Sequence, residues 1–133
     1  MVGVYIQNLL MMRMEKTFSG LNEMARVIYE NNKEKGFWDK ERNPGEALML
    51  VVSELGEAME ALRKGRVALP PLERYIERQT FEQLYKDTFE DELADAVIRI
   101  LDWCGGNNID IEFHVREKVK YNTTRERLHG KRY

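Results

Sequence analysis

Ser53-Glu54-Leu55-Gly56-Glu57-Ala58 and Glu92-Leu93-Ala94-Asp95-Ala96-Val97 are the stretches on which the reading of this chain turns. Each sets two carboxylates three positions apart inside a run of helical periodicity, which puts both on one helix face roughly 60° apart. At ~100° per residue, Leu50, Val51, Ala58 and Ala61 all fall within about 60° of Glu54, so this acid projects from the middle of an apolar stripe. Glu57 lies on the edge of that stripe, toward Ser53 and Lys64. Tyr85, Phe89, Ala96 and Trp103 surround Glu92 in the same way, with Asp95 displaced toward Thr88, Arg99 and Asp102. If the two stripes face a shared interior, four acids converge there.

Four carboxylates in a partly desolvated space cannot all stay ionised without compensation, because burial and mutual repulsion both oppose the charged form. A divalent cation removes the conflict. Neither stretch offers His or Cys, so the donor set is oxygen only and points to a hard ion, Mg²⁺ with Mn²⁺ as a substitute, rather than zinc. A single such pair is ordinary on a solvated helix face; two of them, each with an acid among apolar neighbours, favour a site.

Outward from these stretches the chain reads as helices. Asn43-Pro44-Gly45-Glu46 is a helix start, with an Asn cap and Pro in the first turn; the helix runs to Lys64 and stops at Gly65. Glu60 continues the three-residue spacing and turns toward solvent as an outer-shell candidate. Thr80-Phe81-Glu82-Gln83 fits a capping box for a helix over about 81–104, ending at Gly105-Gly106, while Thr88 offers a competing, later start. Solvation accounts for Glu90 and Asp91 in the run Glu90-Asp91-Glu92. The connection from Arg66 to Thr80 breaks at Pro70-Pro71, with a short charged helix expected over Leu72 to Arg78, and is the natural place for a loop that covers a site.

Ser19 is the expected N-cap of a first helix over about 20–35, stopped by Gly36. Phe37 and Trp38 follow in a connecting loop, where they either plug the end of a bundle or, for Trp38 above all, stack on a planar base. Asn107 or Asn108 caps a last helix over about 109–122, on which His114 reads as a surface residue. Residues 1–18 form an amino-terminal arm, strand or helix, whose role is packing. Residues 19–133 then make one all-α domain, a four-to-five-helix bundle with a basic tail.

The chain has 133 residues, enough for one cored domain. A net charge of −2 gives no field to attract nucleic acid or a membrane surface. The single cysteine, Cys104, excludes an intrachain disulfide, and no apolar run approaches a membrane span. A cytoplasmic location is the default expectation. No phosphate-binding loop, dinucleotide fingerprint or Ser/Cys nucleophile with a nearby base is present. The basic ending, from Lys118 and Lys120 to Arg125, Arg127, Lys131 and Arg132, is what a polyphosphate substrate beside an acidic metal site would require, or is a solvated tail.

With these features the sequence resembles the MazG-like nucleotide pyrophosphohydrolases of the all-α NTP pyrophosphatase superfamily. The resemblance rests on the two acidic motifs, on the Asn43-Pro44-Gly45-Glu46 lead-in, and on Lys120-Tyr121-Asn122 with Arg125, His129, Gly130 and Lys131. It implies a helical bundle whose site is completed by oligomerisation, as a homodimer or homotetramer. It also implies Mg²⁺-dependent cleavage of a nucleoside triphosphate between the α and β phosphates, giving monophosphate and pyrophosphate. By that likeness Glu54, Glu57, Glu92 and Asp95 are metal ligands, Lys120, Asn122 and Arg125 contact phosphate, and Trp38 contacts the base. Glu57, at the stripe's edge, is the acid chosen to take the proton of the attacking water. Arg99 stands where some members have an aromatic, which leaves the base open. The alternative is a non-catalytic helical oligomerisation or nucleotide-binding module, in which Arg99 serves as a built-in counter-charge in place of a cation.

Overall fold

The computed structural model describes residues 18–132; residues 1–17, and with them nearly all of the expected amino-terminal arm, lie outside the described residues. Among the described residues five α-helices follow one another: α1 (Leu21–Glu34), α2 (Pro44–Arg63), α3 (Arg78–Leu84), α4 (Phe89–Gly106) and α5 (Ile111–Thr123), closed by a 3-10 turn over Arg127–Gly130. The all-α expectation holds, and among the described residues there is no strand. Among the described residues no helix is long and apolar enough to cross a membrane.

Helix α4 is the axis of the bundle, packing against α1 on one side and α2 on the other, while α5 rests on α1. Small side chains make these approaches close: Ala25 and Val27 of α1, Ala47, Ala58 and Ala61 of α2, and Ala96, Leu101 and Cys104 of α4 are the buried apolar residues. Burial raises the Cys104 thiol above its ordinary pKa, in keeping with an inert core residue. The larger apolar side chains of α2 point the other way, and Leu48, Met49, Val52, Leu55, Met59 and Leu62 are all exposed.

Most helix boundaries follow from local chemistry. Asn43 caps α2 by accepting from the Glu46 N–H, with Pro44 in its first turn, and Gly65 takes a φ of 67° just past its end. The expected helix over 81–104 is instead two helices. Chain direction changes at Tyr85–Thr88, where Asp87 has a φ of 59°, and Thr88, the later of the two competing caps, accepts from the Asp91 N–H. Thr80 lies inside α3 and caps nothing, and the short helix expected over Leu72 to Arg78 does not form: 72–75 are bends and α3 begins only at Arg78. Two further caps differ from expectation. Ser19 donates its N–H and hydroxyl to Glu23 instead of capping α1, which begins after Gly20. Asp110, not Asn107 or Asn108, caps α5, and it is tied to α1 through the Asn22 amide.

Helix α4 ends at Gly105-Gly106, as expected, and the pair lies in its last turn. Their lack of a side chain is used for contact: a Cβ on Gly105 would stand 2.4 Å from the Ala25 carbonyl oxygen, and one on Gly106 would stand 2.2 Å from the Trp38 ring. The pair lets α1 and the indole close against α4. Gly105→Ala should therefore destabilise the fold by roughly 2 kcal/mol despite alanine's higher helix propensity. Urea unfolding checks this, and an unchanged or raised midpoint would contradict the close packing of α1 on α4.

Candidate metal centre

The α2 and α4 stripes do face each other, and Glu54, Glu57 and Glu92 meet. Each offers a carboxylate oxygen, and these atoms lie within 4.8 Å of one another. Glu54 and Glu92 are both buried, at 6% exposure, while Glu57 is open to solvent. Asp95 is half-buried and stands outside that trio, close enough for the charges of Asp91, Glu54 and Glu57 to act on it. The outer candidate, Glu60, turns away and pairs with Lys64 on the surface. The neighbours of Glu92 in the acidic run have local work: Glu90 accepts from the Ala68 N–H and Asp91 from the Asp87 N–H.

The three acids are compensated unequally. Glu54 Oε1 accepts from Arg99 Nε at 2.5 Å. Glu92, whose side chain is buried, has no hydrogen-bond or ion-pair partner for its carboxylate among the described residues; its oxygens face the cluster and keep contact with solvent there. Desolvation, followed by the charges of Glu57, Asp95 and Glu54, holds the Glu92 carboxyl above its ordinary pKa. Asp95 is raised too, first by desolvation and then by Asp91 and Glu54, with Arg99 acting in the opposite sense. An oxygen-only donor set of three converging carboxylates, one of them without a partner among the described residues, fits a hard divalent cation.

Comparison with family models, with curated proteins and with solved structures returns no match. The site must therefore be read from its own geometry.

Next to the acids lies a cavity of about 220 Å³ bounded by Asn32, Phe37, Arg42, Glu54, Asp95 and Arg99, among others. Trp38 is set back from it. Its indole N–H donates to Asp102 at 2.9 Å, Tyr29 meets it edge-on at 5.1 Å, and the Arg42 guanidinium covers its ring at 4.7 Å. Trp38 thus closes the end of the bundle, and it is Phe37, 67% exposed, that borders the cavity. The buried Asp102 also accepts from Arg42 at 2.8 Å, so this acid is satisfied twice. Sequence reasoning passed over Arg42 and did not single out Asp102. The available signal was Asp102 following Arg99 at three residues on the Asp95 side of α4.

The basic tail is not brought to the acids within one chain. Among the described residues no hydrogen bond or ion pair joins Lys120, Asn122 or Arg125 to Glu54, Glu57, Glu92 or Asp95. Arg125 lies over the Tyr121 ring and lines a shallow pocket with Thr124 and His129, and Asn122 Oδ1 is buried without a partner. The Arg66–Thr80 connection is pinned to α4 by Phe89 N–H on the Arg66 carbonyl and walls a cavity of about 690 Å³ with Phe81 and Tyr85.

A carboxyl whose folded pKa stands above its unfolded one contributes stability that is complete below about pH 4 and is lost as pH rises through the folded value. In protein treated with EDTA, Glu92→Gln should therefore raise the Tm by about 3 °C at pH 8 and by much less near pH 4. A gap that is constant across this range, or a destabilised variant at pH 8, would contradict an uncompensated Glu92.

Proposed function

We propose that the chain is a divalent-cation-dependent pyrophosphohydrolase of the MazG-like kind, cleaving a nucleoside triphosphate between its α and β phosphates. The observation that carries this reading is the convergence of the Glu54, Glu57 and Glu92 carboxylate oxygens within 4.8 Å, two of them on buried side chains and that of Glu92 without a partner among the described residues. Glu54, Glu57 and Glu92 would hold the cation, Mg²⁺ or Mn²⁺, with Asp95 beside them. Bound there, such an ion supplies positive charge to phosphoryl oxygens and lowers the pKa of water.

The chain's own residues do the rest. Water adds to one phosphorus of the α–β bridge, the bridging P–O bond breaks, and the water's proton passes to a carboxylate. Glu57 suits that role because it is the solvent-accessible member of the trio. Phe37, exposed at the mouth of the neighbouring cavity, is better presented for stacking on a base than Trp38, whose N–H and one face are already engaged. The tail residues Lys120, Asn122 and Arg125 would then reach the phosphates from a second copy of the chain. The exposed apolar row Leu48–Met49–Val52–Leu55–Met59–Leu62 on α2 supports a homo-oligomer, since it leaves one face of the site-bearing helix uncovered.

A second reading is favoured by one observation, the Arg99–Glu54 ion pair. If Arg99 permanently takes the place of a cation, the domain binds nucleotide without hydrolysing it. The two readings part in one assay. With Mg²⁺ and a panel of triphosphates, the enzyme reading predicts pyrophosphate release, reduced at least about 10³-fold in Glu54→Gln and Asp95→Asn. Both variants should keep the wild-type mass by light scattering, above that of one 15.7-kDa chain. Binding of triphosphate with no release over hours would favour the module.

A further inference from the structure

Two arginines bind buried acids beside the cluster, and they are held in different ways. Arg42 is fixed on several sides: its guanidinium pairs with Asp102, lies over the Trp38 ring, and shares Asp102 with the indole N–H. Arg99 has no ring beneath it among the described residues. Its side chain is 37% exposed and reaches inward to a Glu54 side chain that is 8% exposed. It also borders two cavities, the small one shared with Asp95 and Phe37 and a wider one of about 520 Å³ lined by Lys40, Arg42 and Asn43. Arg42 is therefore part of the scaffold, whereas Arg99 has space to leave.

Glu54 is also one of the three carboxylates whose oxygens converge. A guanidinium at hydrogen-bond distance from a carboxylate and a dication on that carboxylate repel each other strongly in a partly desolvated site. The two partners compete for Glu54.

We propose that Arg99 is an exchangeable counter-charge, which neutralises Glu54 in the absence of a divalent cation, yields it when the Glu54–Glu57–Glu92 oxygens take one up, and then turns into the Arg42-lined cleft to meet an anionic ligand such as a phosphate. The proposal rests on the cation-site reading above. It gives Arg99 two positions with one charge in each: a carboxylate when the cation is absent, a phosphate oxygen when it is present. Uptake of cation and of anion then favour each other, since both draw on the same released state of the side chain. A guanidinium that only oriented Glu54 from behind would act in the opposite sense, and its loss would weaken the cation.

The sign of one affinity change decides between these roles. Mn²⁺ is titrated by calorimetry into EDTA-treated, dialysed wild type and Arg99→Met. The variant should bind Mn²⁺ about tenfold more tightly, within the range of ordinary coupling between sites, and should unfold at lower temperature before Mn²⁺ is added. Unchanged or weaker Mn²⁺ binding in a folded Arg99→Met overturns the exchange and leaves the cation site standing. No Mn²⁺ binding by either protein sinks the cation site and this proposal with it. Should Arg99→Met fail to fold, the wild type still answers: the Arg99 Nε–H signal in a nitrogen–proton correlation spectrum should be protected in EDTA and shift or broaden away on saturation with Mg²⁺. A signal that stays put at saturation contradicts release.

Discussion

Carboxylates removed from water on the central helix set the terms for the rest of this molecule. Taking a charged carboxylate out of solvent costs several kcal/mol unless donors or a counter-ion replace the lost hydration. Helix α4 carries two acids on buried side chains, and the fold treats them differently. Asp102 receives the Trp38 indole and the Arg42 guanidinium, which close the loop between α1 and α2 onto the end of the helix. Three turns earlier, the Glu92 carboxylate receives no hydrogen bond or ion pair from the described residues and faces two more acids. The first arrangement is a structural joint. The second has the form of a site that depends on something the chain does not itself supply.

The scaffold around these acids is built from small residues. Alanines on α1, α2 and α4 and the glycine pair ending α4 allow backbones to approach closely, which brings Glu54 and Glu92 across from one another on facing helices. The same economy leaves the large side chains of α2 outside. A second copy covering that face would both bury it and offer its tail, which among the described residues makes no hydrogen bond or ion pair with the acids of its own chain. This links oligomer, acids and basic tail in one physical account.

Much of this was legible in the sequence, for definable reasons. The helices with strong local signals, above all the Asn43-Pro44 start and the Gly65 stop of α2, lie where periodicity and capping put them. So do the facing acids, because Glu54 and Glu92 each sit mid-stripe. Two classes of feature were hidden. Where two caps competed, the outcome depended on tertiary contact: Thr88 prevailed over Thr80 because the connection from Arg66 is pinned at Phe89 and Glu90. The glycines that end α4, at 105 and 106, also serve contact with Ala25 and Trp38, which only the packed fold reveals. Arg42 escaped notice for the same reason, since its partner Asp102 is remote in sequence and nothing local marks the pairing.

The central claim, that the acids of α2 and α4 form one cation site, is tested most directly by diffraction. Crystals grown with saturating Mn²⁺ and measured at the manganese edge should show an anomalous peak within about 2.5 Å of oxygens from Glu54, Glu57 and Glu92. Density in which those three carboxylates converge on no such peak, while Mn²⁺ is found elsewhere or not at all, would contradict it.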